Sequence, residues 1–180
     1  AIGIIRISGG DTFNILSKVF SKPIEDARPY TLHHGTISIP PSSIPPSSYV
    51  ATKSQPNPPI PIDDVLVSIF RSPHSYTGED AAEISFHGSP YIAQQILSLL
   101  TQQGCRQANP GEFTQRAYLN GKLDLSQAEA VADLIASTNR ATHQIAMNQL
   151  RGGISSELSI LRDQLLQLTS LLELELDFSD

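Results

Sequence analysis

Three charged residues stand out because ordered backbone carries them. Arg6 lies inside the apolar run Ile2–Ile7, where an always-charged guanidinium must find a partner or reach solvent. Glu83 lies in Ala81–Phe86, AAEISF. Strand alternation puts Glu83 and Ser85 on one face and Ile84 and Phe86 on the other, so this carboxylate either faces water or holds a ligand. Lys122 directly follows Asn120-Gly121, a helix-stop pair, so a tight turn places its ammonium group. The chemistry open to such groups is charge-assisted hydrogen bonding. None of the three is read as catalytic.

Other candidates carry less. Ser8-Gly9-Gly10-Asp11 between a strand and a helix has the form of an anion site, but two glycines are weak evidence and a plain strand-to-helix turn is the better account. The Gly-x-x-x-x-Gly-Lys-Ser/Thr pattern of a P-loop is absent from the 180 residues. His33 and His34 are adjacent and face opposite sides of a strand, so they do not form a metal pair, and no metal site is expected. His74 and Tyr76 sit in the turn-rich stretch RSPHSYTG, and His87 reads as a structural residue at a strand end. The lone Cys105 cannot form an internal disulfide and reads as a small, partly buried residue in a reducing compartment. The net charge of −6 and the absence of a Lys/Arg cluster argue that these residues supply few phosphate contacts to a nucleic acid. No apolar run approaches the roughly 20 residues needed to span a bilayer.

The elements that must position these groups follow from periodicity. Ile2–Ile7, Tyr30–Ile39, Val65–Phe70 and Ala81–Phe86 read as strands, with Cys105–Ala108 as a possible last one. Phe13, Leu16, Val19 and Phe20 mark a first helix. Ile92, Ile96, Leu99 and Leu100 mark another, opened by Ser89-Pro90 and closed by Gly104. Residues 40–61 carry eight of the 13 prolines and read as a loop. Asn109 and Pro110 are expected to open a helix that ends at Asn120-Gly121, and Ser126 with Glu129 to cap the next. Leu150, Ile154, Leu158, Leu161, Leu165, Leu168 and Leu172 form one seam, predicting a long bundle helix with a weak joint at Gly152-Gly153. The seam needs a cover from another segment or chain. The fold class is therefore α+β: an N-terminal mixed β-sheet domain over 1–120 with covering helices, then the first long helices of an α-helical bundle over 121–180.

Three stretches in order, GIIRISG (3–9), SYTGEDAAEISFHG (75–88) and PGEFTQRAYLNGKLDLSQAEAVADLI (110–135), resemble the MnmE or TrmE family of tRNA-modifying GTPases. The likeness covers nearly the whole chain apart from the Pro/Ser-rich stretch. One departure is Ser89, where the family often has the second glycine of His-Gly-Gly; serine can cap the helix as well.

The resemblance implies an N-terminal domain similar to tetrahydrofolate-binding domains, binding 5-formyltetrahydrofolate at a homodimer interface. By motif match its contacts are Arg6, Glu83 and Lys122. A pterin offers an amino group and a ring N–H side by side, which one carboxylate such as Glu83 can accept, and folate carboxylates suit Arg6 and Lys122. The family also implies a GTPase domain after Asp180, with GTP, Mg²⁺ and potassium, so these residues would not hydrolyse GTP. It implies modification of carbon 5 of the wobble uridine of tRNA, bound mostly through other parts, together with a flavoprotein partner of the MnmG or GidA type. The implied location is the cytoplasm, or an organellar matrix in a eukaryote. Two alternatives stay open: a stand-alone folate-dependent one-carbon transferase, and a purely structural dimerisation module. The helical segment 126–180 favours the tRNA-modifying GTPase over a stand-alone folate enzyme, which has no evident need for a long apolar seam.

Overall fold

Alternating apolar and polar residues produce four strands: β1 (Ile2–Ser8), β2 (Leu32–Ile39), β3 (Ile60–Phe70) and β4 (Ala81–His87). The computed structural model describes residues 1–41 and 58–177, in two compact units, Ala1–Phe113 and Thr114–Asp180. In the first unit the strands form one sheet in the order β1-β4-β3-β2. Every pairing in it is antiparallel, where a mixed sheet was expected. Residues 71–80 simply reverse the chain between β3 and β4, which leaves no crossover to make those neighbours parallel.

Register sorts the side chains into two faces. Ile7, Ala82 and Ile69 lie in one cross-strand row, and Ile5, Ile84 and Val67 in the next. These pack with Phe13, Leu16 and Val19 of α1 (Thr12–Val19) and with Ile96, Leu99 and Leu100 of α2 (Pro90–Gln102). Leu16, Ile84 and Ile96 are fully buried, each contributing about 1.5–3 kcal/mol over an exposed position. Gly3 belongs to this core face because its cross-strand partner Phe86 fills the space a side chain would need. A Cβ there would stand 2.4 Å from the Phe86 ring. The opposite face carries Ile4, Arg6, Glu83 and Ser85. On that face Ile2 and Ile4 are 80% and 61% exposed.

Several local expectations are corrected. β3 begins at Ile60, earlier than Val65, because Asp63 and Asp64 have partners: Asp64 accepts from Thr36 Oγ1 at 2.6 Å, and Asp63 accepts from the His87 N–H at 2.8 Å. Most of the Pro/Ser-rich loop expected at 40–61 lies outside the described residues. Cys105–Ala108 is not a strand: its flanks are tied elsewhere, the Cys105 N–H to Leu100 O and the Asn109 N–H to Glu112 Oε2. Asn109-Pro110 does not start a helix either. It starts a β-turn with Gly111 at φ +77°, closed by Glu112 N–H to Asn109 O, and α3 (Glu112–Leu119) follows.

In the second unit, α4 (Leu125–Ala136) is capped two residues earlier than expected, by Asp124 and Gln127 in a reciprocal capping box. Asp124 takes the cap from Ser126 because its carboxylate serves both the Gln127 N–H, at 2.8 Å, and the Ser155 hydroxyl, at 2.6 Å. These two bonds hold its carboxyl below the ordinary value, the Ser155 bond most. The leucine seam is divided between two helices, α5 (Arg140–Leu150) and α6 (Gly153–Asp177). Gly152 turns left-handed at φ +79°, and Gln127 Nε2 donates to the Leu150 carbonyl near the break. Gly153 is also crowded, since a Cβ would meet the Asn148 amide at 2.8 Å. Leu158, Leu161, Leu165, Leu168 and Leu172 are each more than half exposed.

Candidate functional site

Arg6 and Glu83 are direct cross-strand partners on the exposed face of β1 and β4. Arg6 Nε donates to Glu83 Oε1 at 2.8 Å, and a terminal guanidinium nitrogen reaches the same oxygen at 2.6 Å. Both contacts fall on Oε1, and no described residue donates a hydrogen bond to Oε2. The pair is half-open to solvent, with side chains 45% and 28% exposed. The guanidinium also lies 5.7 Å from the centroid of the Tyr76 ring and 5.5 Å from that of Phe113. Together with Phe70 and Thr77, these groups line a small pocket partly open to solvent.

The 71–80 segment that supplies Tyr76 and Thr77 is anchored at both ends. The Arg71 guanidinium stacks 3.7 Å from the Phe13 ring centroid and donates to the carbonyls of Ile24, Glu25 and Ala27. It also pairs with Asp80 at 3.4 Å, while the other Asp80 oxygen accepts the Ser72 N–H. Thr77 is buried and shares a 2.6 Å hydrogen bond with Ser8 of β1, two residues beyond Arg6. Tyr76 is therefore fixed relative to Arg6 by bonds on either side of both residues.

A carboxylate oxygen that accepts no hydrogen bond from the described residues, beside a cation that itself meets two aromatic rings, suits a flat heteroaromatic ligand that carries N–H donors. The arrangement offers binding and orientation. Among the described residues no group of three His, Cys, Asp or Glu could hold a metal.

Of the three residues singled out by sequence, the fold brings Arg6 and Glu83 into contact. Lys122 lies in the second unit, exposed on the turn that closes α3. Its N–H bonds to Ala117 O at 2.8 Å and the Gly121 N–H to Tyr118 O at 3.0 Å, with Gly121 at φ +68°. This is the Schellman turn that Asn120-Gly121 predicted. His87 binds Asp63 through Nδ1 at 2.8 Å at the end of β4. Cys105 is half-buried against the core, and burial pushes its thiol up, away from the reactive thiolate. The sequence reading gave no role to Thr77 and missed Phe113. An aromatic residue in the first turn of a short helix, just after a Pro-Gly turn, was the available signal.

Comparison with known proteins adds the lineage. The family model described as the N-terminus of the GTP-binding protein TrmE matches residues 1–122, and that of the MnmE helical domain matches 125–180. A tRNA modification GTPase MnmE from Phocaeicola vulgatus is 53% identical over 199 aligned positions, covering 100% of this chain and 40% of that protein. One from Bacteroides thetaiotaomicron is 54% identical over 185, again covering 100% of this chain and 36% of the relative. The one from Flavobacterium johnsoniae is 51% identical, covering 100% and 36%. The chain thus spans well under half the length of these relatives. With two family models matching in succession and identity above half along its whole length, the chain belongs to the MnmE (TrmE) family of tRNA modification GTPases.

Proposed function

We propose that this chain is the cofactor-holding and dimerising part of a tRNA modification GTPase, and that it binds 5-formyltetrahydrofolate through Arg6, Glu83 and Lys122. The observation that carries the reading is the convergence of Arg6, Glu83 and two aromatic rings on one pocket, inside the region that matches the TrmE N-terminal model. The donor set fits. Glu83 Oε2 is placed to accept a ring N–H or amino group, while Arg6 fixes the orientation of the carboxylate through Oε1. Tyr76 and Phe113 offer faces for a flat ring. Lys122 is the cation for the ligand's carboxylates. The bound folate would supply a one-carbon unit for carbon 5 of a wobble uridine.

Under this reading the folate-binding and dimerising domain spans 1–120, and the helical domain begins at 121. The match of 125–180 to the MnmE helical domain supports this over a stand-alone folate transferase. GTP hydrolysis, with Mg²⁺ and potassium, belongs to a GTPase domain outside these residues. A MnmG-type flavoprotein serves as partner for the redox step, and tRNA is held mostly by other parts. The setting is the cytoplasm. No helix among the described residues is long and apolar enough to cross a membrane.

Calorimetric titration of 5-formyltetrahydrofolate tests the reading. Saturable binding is expected, weakened roughly tenfold or more by Glu83→Ala or Lys122→Ala, as for loss of a charged hydrogen bond. Unchanged affinity in both variants would overturn the site. Sedimentation should show a concentration-dependent dimer, and a strict monomer would refute dimerisation.

A further inference from the structure

Phe113 is the one wall of the pocket that comes from neither the sheet nor the 71–80 segment. It sits at the start of α3, after residues 103–111, which form neither helix nor strand. The path of the chain into this helix is therefore set by something other than strand or helix hydrogen bonding. The residue just before it, Glu112, is buried at 8% exposure. Its carboxylate accepts from Arg106 Nη1 at 2.8 Å and from the Asn109 N–H at 2.9 Å, both on Oε2, and from Arg106 Nη2 on Oε1. The Glu112 N–H in turn closes the β-turn onto Asn109 O at 3.0 Å. Glu112 is thus held from its side chain and its backbone, one bond from the residue that meets Arg6. A buried carboxylate depends on its cation, so loss of Arg106 would loosen this knot.

We propose that Arg106 and Glu112 are positioning residues for the pocket: their two-pronged ion pair fixes the turn 109–112 and so sets the Phe113 ring against the Arg6 guanidinium. The hydrogen bonds of Arg106 go to Gln107 O and Glu112, so its effect on the pocket runs through Phe113. Phe113 in turn limits where Arg6 and the carboxylate it orients can move. The consequence for ligand affinity rests on the folate reading above. The consequence for Arg6 does not.

Two measurements on the same variants test this. The side-chain Nε–H and δ-methylene resonances of Arg6 report the ring current of Phe113, so Phe113→Ala should move them. Arg106→Ala should move them in the same direction, and Arg106→Lys, which keeps the charge but loses the fork, by a smaller amount. In titrations with 5-formyltetrahydrofolate, Arg106→Ala should weaken binding about fivefold, the scale of one cation–ring contact, and by no further factor in the Phe113→Ala background. Arg6 resonances that respond to Phe113→Ala but ignore both Arg106 variants would overturn the proposal. So would an Arg106→Ala loss that persists in full without Phe113. If the wild-type chain shows no titration, the folate reading fails, and the Arg6 resonances alone decide the positioning role. Should Arg106→Ala not fold, Arg106→Lys gives the same comparison.

Discussion

Gly3→Ala sets two effects of opposite sign against each other. Glycine inside a strand is destabilising relative to alanine by roughly 0.5–1 kcal/mol, largely because its unfolded backbone is freer. If nothing else mattered, the substitution would stabilise the chain. The structure places the new Cβ at 2.4, 2.6 and 3.0 Å from three atoms of the Phe86 ring. Contacts between carbons settle near 3.5–4.0 Å, so ring or strand must give by about 1 Å. Phe86 is only 6% exposed and packs in the core, so it cannot swing into solvent. Overpacking of this kind costs about 1–3 kcal/mol. The net expectation is a loss of roughly 0.5–2 kcal/mol in urea unfolding, with an unchanged slope against denaturant. Pairing Gly3→Ala with Phe86→Leu should give a double variant more stable than the two single losses add up to, because leucine vacates the contested space. A stabilised Gly3→Ala chain would refute the argument, since it would mean that β1 and Phe86 are not packed as described. The result also bears on the pocket: β1 is the strand that carries Arg6, and a strand displaced from β4 separates Arg6 from Glu83.

Asp124 predicts an acid-sensitive helix start. Its folded carboxyl titrates below the ordinary value, so the capping contribution is complete above the unfolded value of about 3.9 and is lost as pH falls through the lowered one. An acid titration of helicity should show a step that Asp124→Asn removes; identical curves would rule the cap out as its source. Gly121→Ala meets nothing within 4 Å, so only the left-handed backbone at φ +68° opposes it. About 1–2 kcal/mol of stability should be lost in urea unfolding, and no loss would mean that the turn before Lys122 does not need that conformation.

The fold was legible where one signal acts locally. The helix stop at Gly121 and the helix start at Ser89-Pro90 are each set by a residue's own backbone preferences, and both are found. Signals failed where a distant partner decided. Asp124 wins the cap of α4 through Ser155, which lies 31 residues away. Asp63 and Asp64 disguised the first half of β3, because their partners lie on β2 and at the end of β4. The leucine repeat kept its phase through Gly152, but phase says nothing of φ, and the backbone turns there. At the site, Arg6 and Glu83 each stood out as a charge in an apolar strand. That they answer one another depends on the register of β1 against β4, and single-strand patterns carry no register between strands. Tyr76 and Phe113 carry no charge anomaly, and that both rings meet Arg6 again depends on contacts between distant segments.

The separation of those two strands has a consequence during synthesis. β1 is an edge strand whose pairing partner in the sheet is β4, and Arg6 and Glu83 lie 77 residues apart. At roughly 5–20 residues per second, a ribosome extends the chain for roughly 4–15 s after Arg6 before it adds Glu83. Throughout that interval Ile2, Ile4, Ile5 and Ile7 form an apolar, β-prone segment with its strand partner not yet made. Arg6 interrupts that run with a charge, the feature that discourages intermolecular strand pairing. The same guanidinium thus puts a charge into that run well before the Glu83 carboxylate it pairs with exists.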